Sequence, residues 1–316
     1  MNVAFHSNSM SLRGSENALW DYANFNETIL GNHSVICHPA ELENAENPTF
    51  AKWKARFPLV PYRTNAELSS KLRERESDVL YQIKPGPYDG FLVPGVKNCI
   101  HSMFLSDEYH GDSFVYVSRW ASKVMTGREE SFVPHFVPQL ESKVGLRENL
   151  GISTKARVFG RHGGWDTFNI PFVREAVVRH ARENPEDHFV FLNTEPIRGT
   201  ERLPNVHYLP ATVDVVEKSK FLATCDVMLH ARLHGETFGL AVGEFAVLGK
   251  PVITFSESRE RAHLDLLGNE ALVYQNCEEL EKILNSFEPR NATKNGYDEF
   301  SDPRRVMGIF AEKFLF

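Results

Sequence analysis

The 316-residue chain predicts an α/β protein made of two doubly wound, Rossmann-like domains with a cleft between them. Three observations carry that expectation. Short apolar runs rich in β-branched residues alternate with amphipathic stretches of about 10–15 residues, the pattern of parallel strands joined by crossover helices. The alternation breaks once, at a proline-flanked segment, and then restarts. A composition of 42% hydrophobic and 24% charged residues supplies a core for each half.

The first half opens on NVAFHS, a strand, followed by a polar loop and the helix of ENALWDYANFNETIL, in which Ala18, Leu19, Tyr22, Ala23, Ile29 and Leu30 recur at helical spacing. SVICHP, FPLVPY and DVLYQIK read as further strands, with NAELSSKLRERES as a charged helix opened by Asn65 between the last two. KNCIHSMF and SFVYVSR complete the half. In FVPHFVPQLESK, residues 132–143, two prolines flank a short apolar piece before the composition turns polar, which marks a linker near Gln139. The predicted domains are therefore 1–138, 139–298 and a terminal helical segment 299–316.

Past the linker the order is strand ARVFGRH, helix NIPFVREAVVRHAREN, strand HFVFLNT, helix VDVVEKSKFLATC, strand DVMLHA, helix FGLAVGEFAVLG and strand PVITF, then ALVYQ and CEELEKILNSF. DPRRVMGIFAEKFLF is the last helix, with Val306, Met307, Ile309, Phe310, Phe314 and Leu315 on its apolar side. In open α/β domains ligands bind outside the carboxyl ends of the strands, which directs attention to the cleft.

Several function classes drop out. With 35 Lys+Arg against 42 Asp+Glu the net charge is −7, and no basic run exists to track a phosphate backbone, so nucleic acid is not expected as a partner. Cys37, Cys99, Cys225 and Cys277 form no C-x-x-C pair, which argues against a zinc cluster or a disulfide framework and for reduced thiols. The N-terminus lacks a basic, apolar leader, and no run of about 18 apolar residues occurs, so a cytoplasmic protein with at most peripheral membrane contact is expected. The Asn-x-Ser/Thr matches at Asn26, Asn32 and Asn291 carry no meaning without a secretory leader.

The chemistry concentrates in LHGETFGLAVGEF, residues 233–245, where Glu236 and Glu244 interrupt a small, apolar run. The strand before it ends near His230, and the helix is expected from about Phe238 to Gly249. Glu236 then stands at the helix entrance, where the amides of Phe238, Gly239 and Leu240 suit an anion such as phosphate. Glu244 lies about two turns deeper and roughly 80° around the axis, so the two acids grip different parts of one extended ligand.

GETFGLAVGEFAVLGKPVITF resembles the Glu–seven residues–Glu element of retaining glycosyltransferases of the GT-B fold, family 4 type, through Glu236, Phe238, Gly239, Glu244, Gly249, Pro251 and Val252. The resemblance implies that Glu236 touches the donor sugar and Glu244 the ribose of a nucleotide sugar. VFGRHGGWDTFNIP is similar to the segment whose Arg and Lys hold the diphosphate: Arg161 matches, Asp166 stands at the Lys position, and Arg232 is the candidate for the second positive charge. RGSENALWDYA is similar to the loop that faces donor and acceptor, which nominates Gly14 together with Arg13 and Glu16. NCIHSMF nominates His101 beside the transferred sugar, and His230 flanks the donor loop. Backbone in residues 207–214 is expected to meet the base.

No Asp-x-Asp element occurs, which fits a metal-independent reaction without a cofactor beyond the nucleotide-sugar co-substrate. The resemblance implies a retaining glycosyltransferase that passes a sugar to a hydroxyl of a glycan or other acceptor, with the last helix crossing back to the first domain. Two other readings stay open: a sugar-nucleotide epimerase or hydrolase on the same fold, and a catalytically idle nucleotide-sugar-binding or assembly protein.

Overall fold

The computed structural model describes residues 1–11, 13–292 and 294–316, and the chain divides into two compact units, Met1–Phe136 with Asp302–Phe316, and Val137–Ser301. In the first unit the elements are β1 (Asn2–His6), α1 (Gly14–Thr28), β2 (His33–Pro39), α2 (Pro48–Arg56), β3 (Leu59–Tyr62), α3 (Asn65–Glu74), β4 (Val79–Lys84), β5 (Lys97–Ser102), β6 (Ser113–Tyr116) and α4 (Arg119–Thr126). The second holds β7 (Val158–His162), α5 (Pro171–Glu183), β8 (His188–Leu192), β9 (Val206–Leu209), α6 (Val215–Thr224), β10 (Val227–Leu229), β11 (Gly235–Glu236), α7 (Leu240–Ala246), β12 (Val252–Phe255), β13 (Glu260–Arg261), α8 (Ala262–Leu267), β14 (Ala271–Tyr274) and α9 (Cys277–Ser286). Helix α10 (Pro303–Phe310), continued by a π-helical turn at Ala311–Leu315, returns to the first unit.

Each unit has a six-stranded parallel sheet, in the orders β3-β2-β1-β4-β5-β6 and β9-β8-β7-β10-β12-β14. Both are the 3-2-1-4-5-6 order of a doubly wound domain, with the chain switching direction between β1 and β4 in one and between β7 and β10 in the other. Parallel strands covered on both faces are buried along their whole length, and β4, Val79–Lys84, is buried at every position, its Gln82 and Lys84 included. The second core gathers Phe159, Val173, Val177, Phe189, Phe191, Val227, Leu229, Ile253 and Leu280. At Gly160 a Cβ would overlap Cys225 Sγ, so the close passage of the α6–β10 connection over β7 requires glycine there.

The terminal helix is held in the first unit by aromatic contacts: Phe310 lies 5.1 Å from Tyr81 and 5.2 Å from Tyr22, and Phe314 lies 5.1 Å from Tyr81 between ring centroids. Among the described residues no helix is long and apolar enough to cross a membrane.

The sequence reading passes over β9. Its four residues are all partly exposed at the sheet edge, and Pro204 and Pro210 flank it, so it carries neither alternation nor an apolar run. Part of the stretch expected to meet a base, 207–214, is therefore an edge strand.

Candidate functional site

The switch point of the second sheet lies between β7 and β10; Arg161 stands near the carboxyl end of β7, and His230, Arg232, Glu236, Phe238 and Gly239 follow the carboxyl end of β10. Helix α7 begins at Leu240, two residues later than the spacing suggests, because Gly239 takes φ +85° and caps it. Ahead of it Gly235–Glu236 is not an open loop but a two-residue strand paired in parallel with Glu260–Arg261. Phe238 is buried, and its carbonyl accepts a 2.5 Å hydrogen bond from Tyr297 Oη.

Glu236 is held from two sides. Arg232 Nη1 donates to Oε2 at 2.7 Å, and His230 Nε2 lies 3.3 Å from Oε1. Burial pushes this carboxyl up, but the His230 hydrogen bond and the Arg232 charge outweigh it and hold it down to about 2. His230 is positioned in turn by Thr254 Oγ1 on Nδ1 at 2.8 Å, and the same hydroxyl lies 3.1 Å from His263 Nε2. One hydroxyl proton cannot serve both rings, so Thr254 donates to one imidazole and accepts from the other, which fixes their tautomers relative to each other.

Glu244 is buried deeper, at 1% exposure. Lys218 Nζ donates to Oε1 at 2.5 Å and His162 Nε2 stands 3.0 Å from Oε2. The second contact is off the line of a hydrogen bond, leaving Glu244 Oε2 and His162 Nε2 as buried polar atoms without an aligned partner. Burial raises the Glu244 carboxyl, yet Lys218 and His162 bring it to about 2; burial lowers His162. Neither Lys218 nor His162 is visible from the sequence, since no spacing links a helix residue and a strand-end histidine to an acid on another helix.

Arg161 is turned into the protein rather than out to solvent. The residue is 4% exposed, and its four terminal N–H groups go to Asn193 O at 3.1 Å, Thr194 Oγ1, Gly164 O at 2.8 Å and Thr167 Oγ1 at 2.5 Å. Burial brings it down to about 10, so it stays a cation at neutral pH, but its terminal donors are spent between its own loop, at Gly164 and Thr167, and the loop after β8, at Asn193 and Thr194. Asp166 is exposed beside it.

In the first unit Gly14 is the exposed first residue of α1 and Arg13 its exposed cap, while Glu16 is buried, accepting from Ser7 Oγ at 2.6 Å and Ser9 Oγ at 2.9 Å; burial raises its carboxyl. His101 does not present itself to a ligand. It is fully buried, hydrogen-bonded to Tyr81 Oη at 2.6 Å and enclosed by the rings of Tyr22, Tyr81, His135 and Phe314, and burial lowers it to about 3. The apolar neighbours that hide it belong to other strands and helices, beyond what a lone histidine in a strand reveals. Among the described residues no group of three or more His, Cys, Asp or Glu side chains is set to hold a metal ion.

The fold is of the GT-B type, two Rossmann-like domains in one chain. The structure is similar to that of HepE from Anabaena, solved with UDP-glucose, at a TM-score of 0.68 and 15% identity over 99% of this chain and 95% of that one. It is also similar to the MnaA–UDP structure of S. aureus (TM-score 0.62, 13% identity, 98% and 95% covered) and to the UDP-GlcNAc 2-epimerase of Neisseria meningitidis bound to UDP-GlcNAc (TM-score 0.62, 11% identity, 99% of each chain). No protein-family profile matches the chain. No curated protein matches it either.

Proposed function

We propose that the protein is a glycosyltransferase that uses a nucleotide-sugar donor, retains the configuration at the transferred carbon and needs no metal ion. The observation that carries this reading is the pair Glu236 and Glu244: two buried carboxylates, each kept ionised by its own cation, at the switch point of a Rossmann-like sheet. Buried charge is expensive, and two such acids on separate cations fit separate grips on a polyhydroxyl ligand. Glu236 accepts hydroxyls of the sugar. Glu244 accepts hydrogen bonds from ribose hydroxyls, for which Oε2, with no aligned partner of its own, is the acceptor.

In the proposed reaction the bond from the sugar carbon to the diphosphate oxygen breaks as the acceptor oxygen bonds to the same face. The acceptor's proton passes to the departing phosphate. Arg232, the charge of Arg161 beneath its loop, and the amides at Gly239 and Leu240 offset the negative charge that develops. A glycan or other hydroxyl compound is the acceptor.

A thermal-shift screen against nucleotides and nucleotide sugars tests this reading, because a ligand of the native state raises the melting temperature. Stabilisation by a nucleoside diphosphate that Glu244→Gln reduces at least tenfold in affinity is the expected result; no stabilisation by any member removes the proposal. Epimerisation is the second reading, suggested by the similar fold of the UDP-GlcNAc 2-epimerase of Neisseria meningitidis. Donor turnover without any acceptor separates it from transfer.

A further inference from the structure

The loop after β7 carries Trp165 with 54% of its surface exposed. An indole left in water forgoes the burial energy of the largest side chain, and this loop is not free to fold it inward. Gly163 O accepts from Asn193 Nδ2 at 2.8 Å, Gly164 O from Arg161 Nη2 at 2.8 Å and Thr167 Oγ1 at 2.9 Å, and Trp165 O from the Glu195 amide at 2.9 Å. Three successive carbonyls are thus tied down. On the far flank Asn169 N donates to Ala231 O at 3.0 Å and Asn169 Oδ1 accepts from Leu233 N at 2.9 Å, fastening the loop to the one that bears Arg232. Arg161 braces the loop through Gly164 O and Thr167 Oγ1, which gives its buried guanidinium a purpose.

We propose that Trp165 is a stacking platform for a sugar ring and that Asp166, exposed next to it, accepts hydrogen bonds from that ring's hydroxyls. The face of an indole is electron-rich and a carboxylate is anionic, so the pair repels phosphate. It suits a neutral ring with polarised C–H bonds on one face and hydroxyl donors at its edge. The position at the β7/β10 switch point is where such a domain holds its ligand. The inference rests on the nucleotide-sugar reading and deepens it, since it names the residues that select the sugar.

Calorimetric titration separates the parts, with UDP, with UDP-glucose, and with glucose added to the UDP complex. Trp165→Ala is expected to bind UDP as the wild type does and to lose roughly tenfold in affinity in one sugar arm. Trp165→Phe should regain most of that loss, and Asp166→Ala should weaken the same arm several-fold. Loss in the UDP-glucose arm assigns the ring to the donor; loss in the glucose arm assigns it to the acceptor side. Wild-type affinity of Trp165→Ala in both sugar arms overturns the platform and leaves the nucleotide reading standing. An equal loss with UDP alone overturns it in favour of stacking on the base. A wild-type protein that binds none of the three overturns the platform as a site for this sugar, while the nucleotide-sugar reading stands or falls with the full nucleotide panel.

Discussion

At the residue scale, the two glutamates show how burial and pairing compete. Each carboxyl is pushed up by desolvation and brought back below its ordinary 4.5 to about 2 by a cation and an imidazole. For Glu236 the cation is Arg232, so Arg232→Ala should raise its pKa toward the ordinary range. On the proposed function Glu236 must be ionised to accept sugar hydroxyls. The wild type should then show no acid limb from this group above about pH 4, whereas kcat/KM of the variant should fall as the pH drops below 5. The shape of the profile decides, because its height also reflects the lost charge. An unchanged shape would show that His230 alone sets the titration. The two acids themselves stand out in the sequence, as charges in an apolar run. Their partners do not: Lys218 and His162 reach Glu244 only because β7, α6 and α7 come together in the fold.

At the scale of elements, the position of Glu236 depends on a glycine. Gly235 has φ +75°, and a Cβ there would run into the Glu260 carbonyl that pairs β11 with β13. Gly31 has φ +69° with nothing within 4 Å of its would-be Cβ. Gly31→Ala should therefore cost only the backbone penalty, about 1 kcal/mol, while Gly235→Ala should cost clearly more and should weaken donor binding by displacing Glu236. Denaturant melts of the two variants compare the terms directly, and equal losses would mean that the β11–β13 contact relaxes freely. The long, periodic elements of both sheets could be read from alternation alone. What escaped were the short helices α2, α4 and α8 and the features fixed by tertiary contact: the edge strand β9, the two-residue β11–β13 pair, and the start of α7, which Gly239 delays by turning to positive φ. The burial of His101 belongs with them, since a strand-end histidine reads the same whether it meets solvent or a ring of aromatics.

For the whole molecule the buried histidines make a common prediction. Burial lowers His6, His101 and His263 from 6.5 to about 3, and His135 well below its ordinary value as well. A ring that is neutral when folded and charged when unfolded leaves stability whole above about pH 6.5 and drains it as the pH falls toward 3. Each contributes a slope of up to about 1.4 kcal/mol per pH unit. Glu236 and Glu244 add to the loss lower down, from about 4.5 to about 2, because their folded values lie below their unfolded ones. Glu16 works the other way, its raised carboxyl favouring the folded state as the pH falls. The melting temperature should therefore drop steeply between pH 6.5 and 5, before the carboxylates titrate. Unfolding near pH 5 should take up protons approaching four from His6, His101, His135 and His263. Calorimetry in buffers of different ionisation enthalpy measures that uptake. A flat stability curve between pH 6.5 and 5 would mean that the rings accept protons in place, and that the aromatic enclosure of His101 opens without unfolding.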